Sequence, residues 1–383
     1  MLNRKISVCL QGANIINWGI MVYLNEIVLR LAKYDDLDLN GIVLWERALH
    51  SCYDLAAYSR FKFPIKVIPM PGGVMFGTGD WKRELMGNIL RPFLRNYNFW
   101  AGESDVYLFL GSRAPIIPIK GKVISCLHDI LPVSTPMAYT PWEIEFSKKV
   151  FSNVVEKSTR IITVSEFSKK EIIKYFNVPE ERIDIVYNGV ETESFKRISP
   201  ERERIRAVYG LPDKYILYFG ACRPYKNVES IIKAYAGLSE ATRREYGLVI
   251  SNPTDAIKTC ADENDVNVCY IEKVSNEDRA AIYQMASVFV WPSLCEGFGI
   301  PIIEAMAAGV PVVCSNATSI PEVAGDAAVL VEPMDINAIT NGIERCIYDE
   351  QFRNGLIAKG YENIKRFSWD DSAKKLHDII MSV

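Results

Sequence analysis

Glu296 and Glu304 bracket a Gly-Phe-Gly turn inside residues 295–333, CEGFGIPIIEAMAAGVPVVCSNATSIPEVAGDAAVLVEP. The preceding run VFVWPS (288–293) is β-branched and apolar enough to be a buried parallel strand. Gly297 and Gly299 allow a sharp turn and a close backbone approach to a ligand. Pro301 suits the first helical position and Gly309 the C-terminal cap, and VPVVCS (310–315) reads as the next strand. The unit is therefore strand, Gly-rich loop, helix N-terminus, strand. Its amides and positive dipole end face the place where a phosphate belongs. The two glutamates exceed what phosphate binding requires. Glu304, read in the first helical turn, can accept hydrogen bonds from sugar hydroxyls, and Glu296 lies at the strand's end, across the bound anion. Carboxylates on both sides of an anion-binding turn suit a diphosphate with hydroxyl-rich sugars at each end, which describes a nucleotide sugar. The plainer alternative is a helix N-terminus decorated with favourable acids.

Two other places carry groups suited to the same ligand. Lys226 follows the apolar run YILYFGA (215–221) and a glycine turn, so its ammonium can reach a diphosphate as a point charge. Arg223 can add a forked contact. His128 ends the apolar run KVISCLHD (122–129) and precedes Asp129. Taken alone, a histidine in such a place is commonly structural, and the two cations would be solvated loop charges.

The segment around Glu296 and Glu304 resembles the signature of the retaining family 4 glycosyltransferases, with their E-x7-E motif and GT-B fold. The likeness runs in the family's order over most of the chain. SCLHDILP (125–132) is similar to its His-Asp turn and TVSEFSKKEI (163–172) to its V-S-x-F-S helix start. YNGVETESF (187–195) resembles its interdomain connector, GACRPYKN (220–227) its G-x5-K-N loop, and FSWDDSA (367–373) the start of its last helix. The resemblance implies an α/β chain of GT-B architecture, two Rossmann-like doubly wound domains facing across a cleft. Residues 1–195 would bind the acceptor and 196–368 the nucleotide sugar, with a helix from about 369 to 383 packing back on the first domain.

The same resemblance implies the site. Lys226 and Arg223 would stabilise the leaving nucleoside diphosphate without a metal, and His128 would sit beside the donor sugar and the reacting carbon. Glu296 would bind hydroxyls of the donor sugar and Glu304 those of the ribose. The Gly19 amide and the helix start near Phe298, Gly299 and Ile300 would meet the diphosphate, while Lys273 and Val274 face the base. No cofactor and no metal belong to this scheme. The chain departs from the family in its first loop, NWGIMVYL (17–24), which keeps Gly19 and Tyr23 but has Val22 where an arginine is usual. Tyr225 stands where an arginine often precedes the lysine, and Glu272 replaces a turn glycine in CYIEKVSNED (269–278).

Composition sets wider bounds. A chain of 383 residues should form about two domains with ample cores. The net charge of −3, with Lys and Arg scattered, excludes a nucleic-acid footprint. The nine cysteines are odd in number and lack C-x-x-C pairs, which points to a reducing cytosol with neither disulfide framework nor zinc site. No apolar run approaches the roughly 18–20 residues of a membrane span, and no signal-peptide pattern opens the chain. A cytoplasmic protein is expected. Alternating strand and helix patterns run throughout, with strands read at 5–12, 38–45, 63–69, 105–111, 122–129, 160–165, 183–189 and 215–221, and the first helix at 21–34.

For the acceptor, residues 79–100 interleave Lys82, Arg83, Arg91 and Arg95 with Trp81, Phe93 and Trp100. That suits a helix on an anionic membrane surface, where lipid-linked acceptors are found. An amphipathic helix packing Leu85, Ile89 and Phe93 on the sheet is the plainer and favoured explanation, and the two readings are compatible on different faces. The Gly-rich stretch 69–79 reads as a loop. The H-D-x-x-P turn with S-N-x-x-S-x-P-E-V resembles bacterial mannosyl- and rhamnosyl-type transferases of surface polysaccharide assembly, lipopolysaccharide included. The expected activity is retaining transfer of a hexose, first from GDP-mannose, to a hydroxyl of a glycan or lipid-linked acceptor. Its expected place is the cytoplasm or the inner face of the cytoplasmic membrane. A catalytically silent nucleotide-sugar-binding scaffold, or an epimerase or phosphorylase of the same fold, are the rivals. A nicotinamide dehydrogenase lacks its intact G-x-G-x-x-G.

Overall fold

Short apolar strands buried on both faces pair in parallel and need helices on each side to cover them. The computed structural model describes residues 3–10, 18–44, 60–68, 89, 94, 96–196 and 200–383. The chain divides into two compact units, Met1–Asn188 with Trp369–Val383, and Gly189–Ser368.

In the first unit the strands are β1 (Arg4–Cys9), β2 (Leu37–Leu44), β3 (Ile65–Ile68), β4 (Val106–Phe109), β5 (Lys122–Cys126), β6 (Arg160–Thr163) and β7 (Ile183–Ile185), ordered β3-β2-β1-β4-β5-β6-β7. Ile6 fixes the register at the centre, opposite Leu39 on one side and Val106 on the other. The strand order reverses between β1 and β4, so a crevice opens at their carboxyl ends. The helix Trp18–Leu31 covers one face and buries Tyr23, Leu24, Ile27, Val28 and Leu31, a helical stripe.

The last helix, Trp369–Ser382, belongs to this unit. The Trp369 ring meets Tyr23 edge-on at 5.9 Å, and the Ser372 hydroxyl donates to the Tyr187 carbonyl at 2.7 Å. His377 stacks on Tyr34 at 4.1 Å and bonds Asp36 Oδ1 at 2.9 Å. Most of 79–100, including Trp81, Lys82, Arg83, Arg91 and Arg95, lies outside the described residues, as does the 69–79 stretch. Of the remainder, the short helix Tyr97–Ala101 packs Tyr97 and Ala101 beside Ile68 and Phe109, with Trp100 partly buried on the same cluster.

In the second unit the strands are β8 (Tyr215–Tyr218), β9 (Gly247–Ser251), β10 (Val268–Ile271), β11 (Val288–Trp291), β12 (Val312–Ser315) and β13 (Val329–Val331), ordered β10-β9-β8-β11-β12-β13. This repeats the first unit's pattern, with the reversal between β8 and β11. Residues 189–195, which the sequence reading places in the first domain, pack here. The Val190 amide donates to the Phe367 carbonyl at 3.1 Å, and Phe195 meets Tyr283 edge-on at 5.7 Å. Among the described residues no helix is long and apolar enough to cross a membrane.

Candidate active site

The switch point of the second unit is where its buried charges meet. Lys226 leaves the loop after β8 and Glu296 the loop after β11, and Lys226 Nζ lies 2.6 Å from Glu296 Oε1. Their side chains are 14% and 9% exposed, so each charge needs the other. The ammonium also lies over the Trp291 ring, 4.7 Å from its centroid, and 5.1 Å from that of Tyr225. Trp291 is itself buried and stacked on Tyr218 at 5.1 Å. A Cβ on Gly220 would come within 2.8 Å of the Trp291 ring, so this position of the β8 loop requires glycine.

Side chains far apart in sequence lace these loops together. The Leu294 amide and the Ser293 hydroxyl both donate to the Tyr225 carbonyl, at 2.8 and 3.1 Å. Asn227, buried with φ +56°, donates to the carbonyls of Pro292 and Pro333 at 3.1 and 2.7 Å. Thr318 Oγ1 accepts from the Glu296 amide at 2.9 Å, and Ser319 Oγ donates to the Glu296 and Phe298 carbonyls at 2.9 and 3.2 Å. These clamps are structural partners of the site that motif reading does not find. The asparagine that ends the G-x5-K-N loop, Asn227, and the S-N-x-x-S pattern of 315–319 hinted at them without showing what they hold.

Gly299, at φ +105°, starts the helix Ile300–Ala307, with Pro301 inside its first turn. Phe298 is buried edge-on against Phe367 at 5.3 Å, so the turn presents backbone rather than an aromatic face. The helix ends in paired bonds, Val310 N–H to Ala305 and Gly309 N–H to Met306, at 3.0 and 3.1 Å. Glu304 differs from the sequence expectation. Because the helix begins at Ile300, Glu304 falls in the second turn and is 5% exposed. Arg279 Nη1 lies 3.2 Å from its Oε1. Burial raises the Glu304 pKa, while Arg279 and the Tyr283 hydroxyl beside it pull it back down.

The remaining residues assigned to this unit are looser. Arg223 is exposed, and its guanidinium makes no ion pair among the described residues. Its carbonyl accepts from the Lys226 amide at 2.8 Å, which shapes the lysine's turn. Lys273 is exposed at φ +52° and Val274 is half-buried. The left-handed backbone thus falls on Lys273 rather than on Glu272, where the missing glycine was expected.

In the first unit His128 follows β5 and is 8% exposed. Its Nε2 lies 2.9 Å from the Leu110 carbonyl, which can only accept, so Nε2 carries the proton and Nδ1 presents a lone pair. Burial pushes its pKa from 6.5 down to about 4, with the Leu110 bond opposing, so the ring is neutral near pH 7. Tyr23 abuts it edge-on at 4.8 Å. Asp129 Oδ1 accepts from the Leu131 amide at 3.1 Å and so caps the following turn. Gly19, expected in a loop, is exposed in the first turn of the Trp18–Leu31 helix, one turn before Tyr23. Its amide is therefore among those with no partner inside the helix. Among the described residues no group of three or more His, Cys, Asp or Glu could hold a metal.

Comparison with known proteins fits this geometry. Residues 201–363 match the family model Glycosyl transferases group 1, and 103–194 match Glycosyltransferase Family 4. O-antigen chain mannosyltransferase B of Escherichia coli is 34% identical over 272 residues, 69% of this chain and 71% of that one. The serotype-specific mannosyltransferase WbdA of Escherichia coli is 29% identical over 301 residues, 75% of this chain but 36% of that longer protein. A sucrose-phosphate synthase from Thermosynechococcus elongatus shares the fold with a TM-score of 0.77 over 99% of each chain, at 17% identity. Two parallel sheets of this order, each flanked by helices, define the GT-B class. Within that class the chain belongs to glycosyltransferase family 4, and it is an enzyme akin to O-antigen mannosyltransferases.

Proposed function

We propose that this enzyme transfers mannose from GDP-mannose, with retained anomeric configuration and without a metal, to a hydroxyl of a glycan or lipid-linked oligosaccharide in surface polysaccharide assembly. The observation that carries this reading is the buried Lys226–Glu296 pair, set at a topological switch point beside the helix that starts at Gly299. One member opposes a diphosphate and the other accepts from sugar hydroxyls. The mannosyltransferases related to the chain favour mannose as the sugar.

As the bond from the anomeric carbon to the diphosphate breaks, negative charge grows on the leaving oxygen. Lys226, Arg223, the Gly19 amide and the helix start at Phe298–Ile300 oppose that charge. Fixed donors of this kind stabilise the transition state more than the ground state. Glu296 holds the mannose hydroxyls and Glu304 the ribose, with Lys273 and Val274 against the base. His128 contributes the Nδ1 lone pair of a neutral imidazole to a sugar hydroxyl. In a same-face substitution the leaving phosphate takes the proton of the acceptor hydroxyl, which gives retention. The cytoplasmic membrane face, met through residues 81–100, is where such an acceptor would be encountered.

The test is a thermal-shift series with GDP, UDP, dTDP, CDP and NAD in EDTA. A ligand at about a hundred times its Kd adds roughly 2.7 kcal/mol, a shift of several degrees. A response to GDP, followed by EDTA-resistant mannose transfer giving the retained anomer, is expected. A response to another nucleoside diphosphate replaces the donor. A nucleoside diphosphate response with no transfer to any acceptor favours the silent scaffold, for which Val22 in place of the first-loop arginine is the supporting observation. Silence to all the nucleoside diphosphates refutes the nucleotide reading. Response to NAD alone overturns the reading.

A further inference from the structure

The first unit carries an aromatic face that the transfer chemistry leaves unused. After the His128–Asp129 turn the chain passes through Leu131–Ser134 and Pro136–Ala138 into the helix Pro141–Lys157. Trp142, in that helix's first turn, is 56% exposed, and Met137 just before it is 88% exposed. The rings of Trp142 and Phe146 lie one helical turn apart and stack at 5.4 Å with planes within 2°. From the loop after β4, Arg113 sets its guanidinium carbon 5.9 Å over the Phe146 ring.

The support under this face is rigid. Thr140 and Glu143 form a capping box, with Glu143 Oε2 accepting from the Thr140 amide at 2.8 Å and Thr140 Oγ1 accepting from the Glu143 amide at 3.3 Å. A pre-ordered aromatic pair loses little side-chain freedom when a partner lands on it. The charges nearby are of both signs: Glu145 and Lys149, exposed on the Trp142 face at helical spacing, and Arg113 beyond Phe146. An anionic membrane calls for a cluster of about four to eight cations, and with two cations to one anion this rim falls well short of that. A neutral pyranose instead needs an apolar plane for its C–H face, with donors and acceptors at its edge.

Both contributing loops leave the carboxyl ends of β4 and β5, the edge of the sheet where ligands of such folds bind and where His128 stands. We propose that the Trp142–Phe146 platform is a saccharide-stacking subsite that seats one pyranose of the acceptor glycan. The word acceptor rests on the glycosyl-transfer reading above; the stacking itself does not.

The experiment titrates linear mannotetraose into the wild type, Trp142→Ala and Trp142→Phe by saturation-transfer NMR. The same proteins are incubated with phosphatidylglycerol-containing vesicles, and their GDP-induced thermal shift is recorded. We expect saccharide affinity to fall roughly tenfold in Trp142→Ala, equivalent to about 1.4 kcal/mol. Trp142→Phe should retain most of it, and vesicle binding should not respond to either change. Unchanged saccharide affinity in Trp142→Ala, absent binding to the wild type, or vesicle binding lost in Trp142→Ala would each overturn the subsite. The GDP shift reports separately: its absence in the wild type refutes the nucleotide reading and leaves the saccharide result standing.

Discussion

Replacing Lys226 with alanine should damage the protein in two separable ways. The lysine's side chain is 14% exposed and its partner Glu296 is 9% exposed at 2.6 Å, so truncation leaves a carboxylate buried without its counter-charge. Breaking one side of a buried pair costs about 3–5 kcal/mol. Taking the lower figure, for a unit of this size, the melting midpoint falls by roughly 6–12 °C. Separately, loss of one fixed donor to the departing diphosphate lowers kcat by about 10²–10³. The two effects part in Lys226→Ala/Glu296→Gln, where the neutral amide no longer needs a cation. The double variant should regain about 2 kcal/mol relative to Lys226→Ala while transfer remains lost. Differential scanning calorimetry gives the first quantity, and GDP release from GDP-mannose in the presence of acceptor gives the second. Near-normal turnover in Lys226→Ala would refute the assigned role. A double variant no more stable than the single one would show that the pair is not what holds the two loops.

Two further outcomes follow from the geometry. Folded His128, held near a pKa of about 4 by burial, refuses a proton that the unfolded chain accepts at 6.5, so its contribution to stability is intact above pH 7 and declines as pH falls. By pH 5 the decline is about 2 kcal/mol, and His128→Gln should lack it in urea melts compared across that range. Glu304, whose pKa is raised, slopes the other way in both proteins and cancels from the difference. Identical slopes would mean the ring is not buried as described. Gly299→Ala forces a side chain onto φ +105° and brings its Cβ within 3.1 Å of Ile302 Cδ1. It should cost about 1–3 kcal/mol and weaken the GDP thermal shift, and a neutral result would contradict the turn geometry.

The sequence showed the architecture better than the detail, for a physical reason. Apolar β-branched runs mark buried parallel strands, yet the apolar character outlasts the ladder. The run read at 122–129 pairs only as Lys122–Cys126, and that at 215–221 only as Tyr215–Tyr218. The surplus residues are the turns that carry His128 and Gly220. Gly19 was misplaced in a loop because glycine disfavours helix interiors, but a first turn tolerates it. Lys226 and Glu296 were legible as motifs, whereas their contact spans 70 residues and follows only from β8 and β11 lying side by side. Asn227 was legible only as the end of the G-x5-K-N motif, and Thr318 and Arg279 were invisible, because a hydroxyl, an amide or a guanidinium signals no role until the loop it clamps or the carboxylate it faces is in place.

The two units hold their buried polar side chains by opposite means: Lys226 and Glu296 follow β8 and β11 at the switch point, whereas His128 follows β5, one strand beyond it. In the second, buried carboxylates face cations, Glu296 with Lys226 and Glu304 with the partly exposed Arg279. In the first, the buried group is an imidazole kept neutral, its proton fixed on Nε2 by the Leu110 carbonyl. At its crevice the second unit gathers a lysine and the amides of the helix start at Gly299, the groups that the proposed polyanionic nucleotide would need. A reacting sugar that gathers positive charge would be repelled by an imidazolium at that point but not by a lone pair. On the role proposed for His128 beside the sugar the ring must stay neutral, and the burial that depresses its pKa is what secures this at physiological pH.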